Sequence, residues 1–256
     1  MGYTNSKLVS YVKLSPNNSG NRKYPITRIT PHCVVGQLSV ETLGTIFEKP
    51  SRKASCNYGI GSDGRIGMYC EENDRSWCSS NADNDNRAVT IECASDNTHP
   101  YTFNNTVYNR LIDLCVDICK RNGKNKLLWF NDKNKSLSYN PAPNEMIITV
   151  HRWFSKKACP GDWLMNHMND LVNKVNSRLN PNQQTQSNNT IPYLVRIKED
   201  LNVRKEPNAN SQIIMVLKKG SVYTIVEEIK NKNGSIWGKL KSGVGYINLK
   251  FTEVKR

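Results

Sequence analysis

Apolar residues recur at Val107, Leu111, Leu114, Cys115 and Ile118, the three-and-four spacing of one helical face, and Gly123 follows where a helix ends. This spacing predicts a helix over 105–122. A second helix is predicted after Pro160-Gly161, with Asp162 as its cap and Trp163, Leu164, Met168, Leu171, Val172 and Val175 as its apolar stripe. Short runs from Ile26 to His32, Arg87 to Glu92 and Glu145 to His151 read as strands. Strands alternating with helices predict an α/β domain over residues 1–178, a mixed sheet flanked by helices.

The pattern then changes twice. Residues 179–191 are polar, rich in Asn and Gln and without periodicity, so they read as a flexible linker. Beyond them, Leu201–Arg204, Ile213–Leu217, Val222–Val226, Trp237–Leu240 and Gly245–Ile247 form short apolar runs. Turn residues such as Lys219-Gly220 and Asn233-Gly234 separate them. Five strands so closely spaced predict a small all-β barrel over 192–256.

The formal net charge of +14 implies an acidic partner surface, for which nucleic acid, anionic lipid and acidic wall polymers are the candidates. No aromatic-basic motif of the usual kinds supports nucleic acid. No stretch is long and apolar enough for membrane insertion, and the N-terminal residues lack the charge and apolar run of a signal peptide. The chain is therefore expected to be made in the cytoplasm. Eight cysteines are scattered between Cys33 and Cys159 without a Cys-x-x-Cys pair, which reads as reduced core thiols.

Three residues suggest chemistry. His151 ends an apolar run, Cys159 follows eight residues later before Pro160-Gly161, and His32 closes the run that begins at Ile26. Two imidazoles and one thiolate suit one tetrahedral Zn2+ with its fourth position left for water, the arrangement of a catalytic site.

Together, His32, His151 and Lys157-Ala158-Cys159-Pro160-Gly161 resemble the zinc-dependent N-acetylmuramoyl-L-alanine amidases, which share their fold with peptidoglycan recognition proteins. The resemblance covers about residues 20–178. It implies His32, His151 and Cys159 as metal ligands, Lys157 as stabiliser of the oxyanion, and Glu92 as general base at the end of its strand. Lys156 competes for the lysine role. Where some members carry a catalytic tyrosine this chain has Cys56, and alternation places Tyr58 on the same strand face without restoring the register. Cys78 stands where relatives often carry a histidine and reads as packing. His99 reads as a solvated loop residue and His167 as structural, while Asp74, Arg75 and Trp77 are candidates for the cleft.

Residues 192–256 resemble bacterial SH3-like domains through Leu201-Asn-Val-Arg-Lys-Glu-Pro207, Ile236-Trp-Gly-Lys-Leu240 and Gly243-Val-Gly-Tyr-Ile247. Asn202, Arg204 and Glu206 are candidates for a groove there, and Tyr193, Tyr223, Trp237 and Tyr246 for the barrel core. The two resemblances imply a hydrolase of Gram-positive peptidoglycan that cuts between N-acetylmuramic acid and L-alanine, with the second domain as wall anchor. A phage endolysin held in the host cytoplasm until release is the expected setting, with a host autolysin or a non-catalytic recognition protein as alternatives.

Overall fold

The computed structural model describes residues 3–180, 191–231 and 234–255. The chain divides into two compact units, Met1–Asn182 and Gln183–Arg256. Of the expected linker, residues 181–190 lie outside the described residues.

The first unit is built on a seven-stranded mixed sheet. In chain order its strands are β1 (Val9–Val12), then β3 (Arg28–Cys33), β4 (Tyr58–Ile60), β5 (Ile66–Met68), β7 (Ala88–Cys93), β8 (Lys126–Leu128) and β9 (Glu145–Ile148). Two further strands, β2 (Asn18–Asn21) and β6 (Asp74–Ser76), form a small antiparallel pair. The sheet order is β1-β5-β4-β7-β3-β9-β8, with only β4 and β5 antiparallel. The central strand β3 is buried along its whole length, as expected of a parallel strand covered on both faces.

Helix α1 (Val40–Phe47) covers one face of the sheet, where Leu43 and Phe47 meet Cys56 and Tyr69. The short helix α2 (Ala82–Arg87) precedes β7. Helix α3 (Asn105–Arg121) covers the opposite face, and its buried positions include every apolar residue of the predicted stripe. Asn104 caps it by accepting from the Val107 N–H, and Gly123 takes the positive φ expected just beyond its end. After α4 (Lys133–Ser138), the long helix α5 (Asp162–Leu179) packs on α3 through Leu164, Met168, Leu171 and Val175.

Buried polar side chains tie these elements together. Thr30 of β3 and Thr149 beyond β9 share a hydroxyl contact of 2.7 Å, and Asn84 of α2 bonds to both. Such groups are tolerated in a core because each is paired. The strand-face expectation for Cys56 and Tyr58 fails. A bend at Asn57 breaks the alternation, so Cys56 packs in the α1 cluster while Tyr58 packs toward α3. The Tyr58 hydroxyl donates to buried Glu72 and accepts from the Ser6 N–H.

Two other expectations are corrected. Gly161, not Asp162, occupies the cap position of α5; Asp162 is its first residue, and its carboxylate binds His99 and Arg152 instead. The strand expected to reach His151 stops at Ile148, and His151 opens a 3-10 turn. Helix α2 was absent from the sequence reading.

The second unit is all-β. Its strands are β10 (Tyr193–Ile197), β11 (Leu201–Arg204), β12 (Ile213–Leu217), β13 (Val222–Lys230), β14 (Ile236–Leu240), β15 (Tyr246–Asn248) and β16 (Thr252–Lys255). They pair antiparallel in the order β12-β11-β15-β14-β13-β10-β16. Val195, Ile197, Val203, Leu217, Ile225, Leu240 and Ile247 form the core. Among the described residues, seven strands are thus present where five were expected. Trp237 is buried, and Tyr193 and Tyr223 pack at the edge of that core.

Candidate metal centre

Three neighbouring parallel strands, β7, β3 and β9, deliver the candidate residues at their carboxyl ends, where sheets of this kind place ligands. In-register pairing sets His32 of β3 directly beside Glu92 of β7. The chain continues from β9 through the Thr149 N–H, which bonds to the Ile29 carbonyl, so His151 emerges next to the end of β3. The His32 and His151 rings lie 5.0 Å apart between centroids, tilted by 60°.

Cys159 arrives on a loop that folds back on the 3-10 turn, its carbonyl accepting from the Arg152 N–H at 3.1 Å. The Arg152 guanidinium also donates to the Ala158 carbonyl and pairs with Asp162 at 2.9 Å, clamping the loop at both ends. Gly161 is required where the loop enters α5. Its φ is +88°, and a Cβ there would lie 2.8 Å from the Pro100 carbonyl oxygen and 2.9 Å from Tyr101 Cβ.

The result is a convergent donor set. One ligand atom each of His32, His151 and Cys159 lies within 4.8 Å of the others. Cys159 Sγ is 3.2 Å from His32 Nδ1, and His151 Nε2 is held by Ser80 Oγ at 3.2 Å, which turns Nδ1 to other use. A tetrahedral ion with bonds of about 2.0–2.3 Å separates its donors by roughly 3.3–3.8 Å, so small adjustments close this set around one cation.

Electrostatics point the same way. Burial, with His151 adjoining, pushes the His32 pKa well below its ordinary value, and burial with Lys157 nearby lowers that of His151. Both imidazoles are thereby neutral, the form that binds metal. Burial pushes the Cys159 thiol up. A divalent cation would repay that cost by replacing its proton. The residues present therefore fit a thiophilic ion such as zinc.

Glu92 borders the set, with Oε1 3.9 Å from His32 Nδ1. Burial pushes its carboxyl up to about 7, against the opposing pulls of Arg52 and the Cys78 thiol. Its Oε2 is buried with no hydrogen-bond partner among the described residues.

Two cavities of about 400 Å³ each flank the centre and share Phe47, Arg52, Glu92, His151 and Lys157 in their walls. One is polar and cationic, with Lys53, Arg75 and Trp77; the other is mixed, adding an apolar wall of Val34, Leu38 and Ile46 to the shared polar residues. Lys157 is exposed and lines both, whereas Lys156 lines neither. Of the three cleft candidates, Arg75 and Trp77 line the first cavity and Asp74 does not.

Cys78 is only partly explained by packing. It touches the α1 cluster, yet its thiol lies 3.8 Å from Glu92 Oε1 and lines the polar cavity. No sequence pattern marks Ser80, which stands in a loop, or Arg52, which ends the short 3-10 turn Pro50–Arg52. His99 is exposed and bonds Asp162, and His167 bonds the Trp163 carbonyl within α5, so neither joins the centre. In the second unit a cavity of about 250 Å³ is lined by Asn202 and Arg204 but not Glu206.

Residues 22–162 match the family described as N-acetylmuramoyl-L-alanine amidase, and residues 199–253 match the bacterial SH3 domain. Among solved structures the chain is similar to PlyL, at 15% identity over 64% of this chain and 95% of that one, with a TM-score of 0.44. It is similar to a selenomethionine derivative of AmpD, at 17% identity over 67% and 99%, with a TM-score of 0.47. It is also similar to the N-acetylmuramoyl-L-alanine amidase LysC from Clostridium intestinale URNW, at 16% identity over 64% and 95%, with a TM-score of 0.45. No curated protein matches the chain.

Proposed function

The chain belongs to the N-acetylmuramoyl-L-alanine amidase family, and on that premise we propose that one Zn2+ held by His32, His151 and Cys159 supports its reaction on Gram-positive peptidoglycan. The observation that carries this reading is the convergence of these three donors at the ends of β3 and β9. Bound zinc supplies a Lewis acid and lowers the pKa of a coordinated water toward roughly 7.

The chain's own residues would do the rest. Glu92 takes the proton of the attacking water on its carboxylate and passes it to the leaving amine of L-alanine. A carboxyl tuned to about 7 by burial suits a group that must both accept and release a proton near neutrality. Lys157 offers its ammonium to the oxyanion that develops on the lactyl carbonyl, from a position on the wall of both cavities. Lys157→Met is expected to lower kcat about 10²-fold with zinc retained, the scale of losing one oxyanion donor. Lys156→Met should leave kcat nearly unchanged, and equal effects of the two would remove the assignment.

The second unit, matching a bacterial SH3 domain, is read as the wall anchor. It tethers the catalytic unit at its polymer and raises its local concentration there. An amidase joined to such a domain, with no described helix long and apolar enough to cross a membrane, fits a phage endolysin. It would accumulate in the host cytoplasm and reach the wall on release.

Zinc content and product analysis on purified Gram-positive peptidoglycan test this reading together. One zinc per chain, with new L-alanine amino termini and no new reducing sugar ends, is the expected result. Wall binding without release of any product would overturn it.

A further inference from the structure

We propose that the chain holds a second metal position, formed by His32, Cys78 and Glu92, which a thiophilic divalent cation such as zinc or cadmium occupies in alternation with the first. The ligand atoms of these three residues also lie within 4.8 Å of one another. Glu92 Oε1 is the common neighbour, 3.8 Å from Cys78 Sγ and 3.9 Å from His32 Nδ1. Those separations are close to the roughly 3.3–3.8 Å between donors around a tetrahedral ion.

The position is built rather than accidental in its backbone. The parallel register of β3 and β7 fixes His32 against Glu92. Cys78 is held by Asp85, whose carboxylate accepts from the Cys78 N–H at 3.1 Å and from the Ser79 N–H at 3.1 Å. A nitrogen, sulfur and oxygen set selects zinc-like ions and excludes magnesium and calcium, which require oxygen shells.

The two positions exclude each other because they share a donor. His32 Nδ1 faces Cys159 Sγ at 3.2 Å on one side and Glu92 Oε1 on the other, and one lone pair binds one ion. An ion in the second position also engages the Glu92 carboxylate. Resting on the amidase reading above, the consequence is an idle fraction of loaded enzyme: an ion in the second position draws Glu92 away from proton transfer, and the ratio of the two affinities sets how much of the enzyme is held so.

The test uses the full-length protein stripped of metal and titrated with cobalt(II), whose thiolate charge-transfer absorption requires a cysteine ligand. Wild type should show the band, Cys159→Ser should keep it at weaker affinity through Cys78, and Cys159→Ser with Cys78→Ser should lose it. A Cys159→Ser protein that takes up cobalt without the band overturns the second position alone. No band in wild type overturns both positions and the zinc reading with them. Should Cys159→Ser fail to fold, Cys159→Ala is titrated in its place and should show the band through Cys78. Adding Cys78→Ser to that variant should remove the band. A folded Cys159→Ala protein that takes up cobalt without the band, or takes up none, overturns the proposal.

Discussion

Replacing His32 with alanine is expected to leave the protein without bound zinc and to lower amide hydrolysis by about 10³-fold or more. That factor corresponds to about 4 kcal/mol of transition-state stabilisation, the scale on which a bound Lewis acid operates. His32 is the most sensitive of the three donors because its Nδ1 faces both Cys159 and Glu92. Removing Cys159 leaves an imidazole pair and a neighbouring thiol, whereas removing His32 leaves neither donor set intact. The side chain is fully buried, so the substitution opens a cavity and costs stability as well, on the order of 2–4 kcal/mol. His32→Gln, which keeps more of the volume, separates the two effects. Elemental analysis and release of L-alanine amino termini are the measurements. A folded His32→Ala protein that retains about one zinc would remove His32 from the centre.

The donors of this centre were legible because their signal is local. His32 and His151 each close an apolar run, and Cys159 sits in a short motif with a lysine before it and Pro-Gly after it. Glu92 was legible for a related reason, as a carboxylate at the end of an apolar strand. Helix α2 was not. Its sequence, Ala82 to Arg87, carries no apolar stripe; it forms because Asn81 caps it, because Asp85 accepts from the Ser79 N–H just before it, and because Asn84 and Asn86 find partners at Thr30 and Lys23, distant along the chain. Periodicity cannot see such tertiary pairing. The same holds for Cys78, whose approach to Glu92 depends on the Asp85 turn that follows it. The bend at Asn57 is likewise tertiary in origin, since its side chain bonds the Thr90 N–H and the Glu71 carbonyl rather than continuing a ladder. Strand β10 is a different case. Tyr193–Ile197 alternates in burial, a local pattern of the kind a sequence carries.

Glu92→Gln is expected to divide activity from stability. In the zinc-loaded enzyme it should lower kcat by about 10²–10⁴-fold, the range supplied by a positioned proton-transfer group, while zinc content stays near wild type. In the metal-free protein the same substitution should raise stability. The Glu92 carboxyl titrates near 7 in the fold against an ordinary value of 4.5, because burial disfavours its charge. Below about 4.5 the acid is protonated both folded and unfolded and contributes nothing. Between 4.5 and 7 the unfolded chain releases the proton first, so the folded state loses ground, and above 7 the penalty is complete. That penalty is on the order of 3 kcal/mol, and a neutral amide of the same shape does not incur it. Unfolding of the metal-free proteins at pH 5 and pH 8 checks the sign: the advantage of Glu92→Gln should be small at the lower pH and near its maximum at the higher. An advantage that is equal at both, or a variant that keeps full turnover, would mean that this carboxylate is an ordinary structural group. An advantage that follows this sign would mean that folding alone does not account for a carboxylate held at such a cost beside His32 and His151.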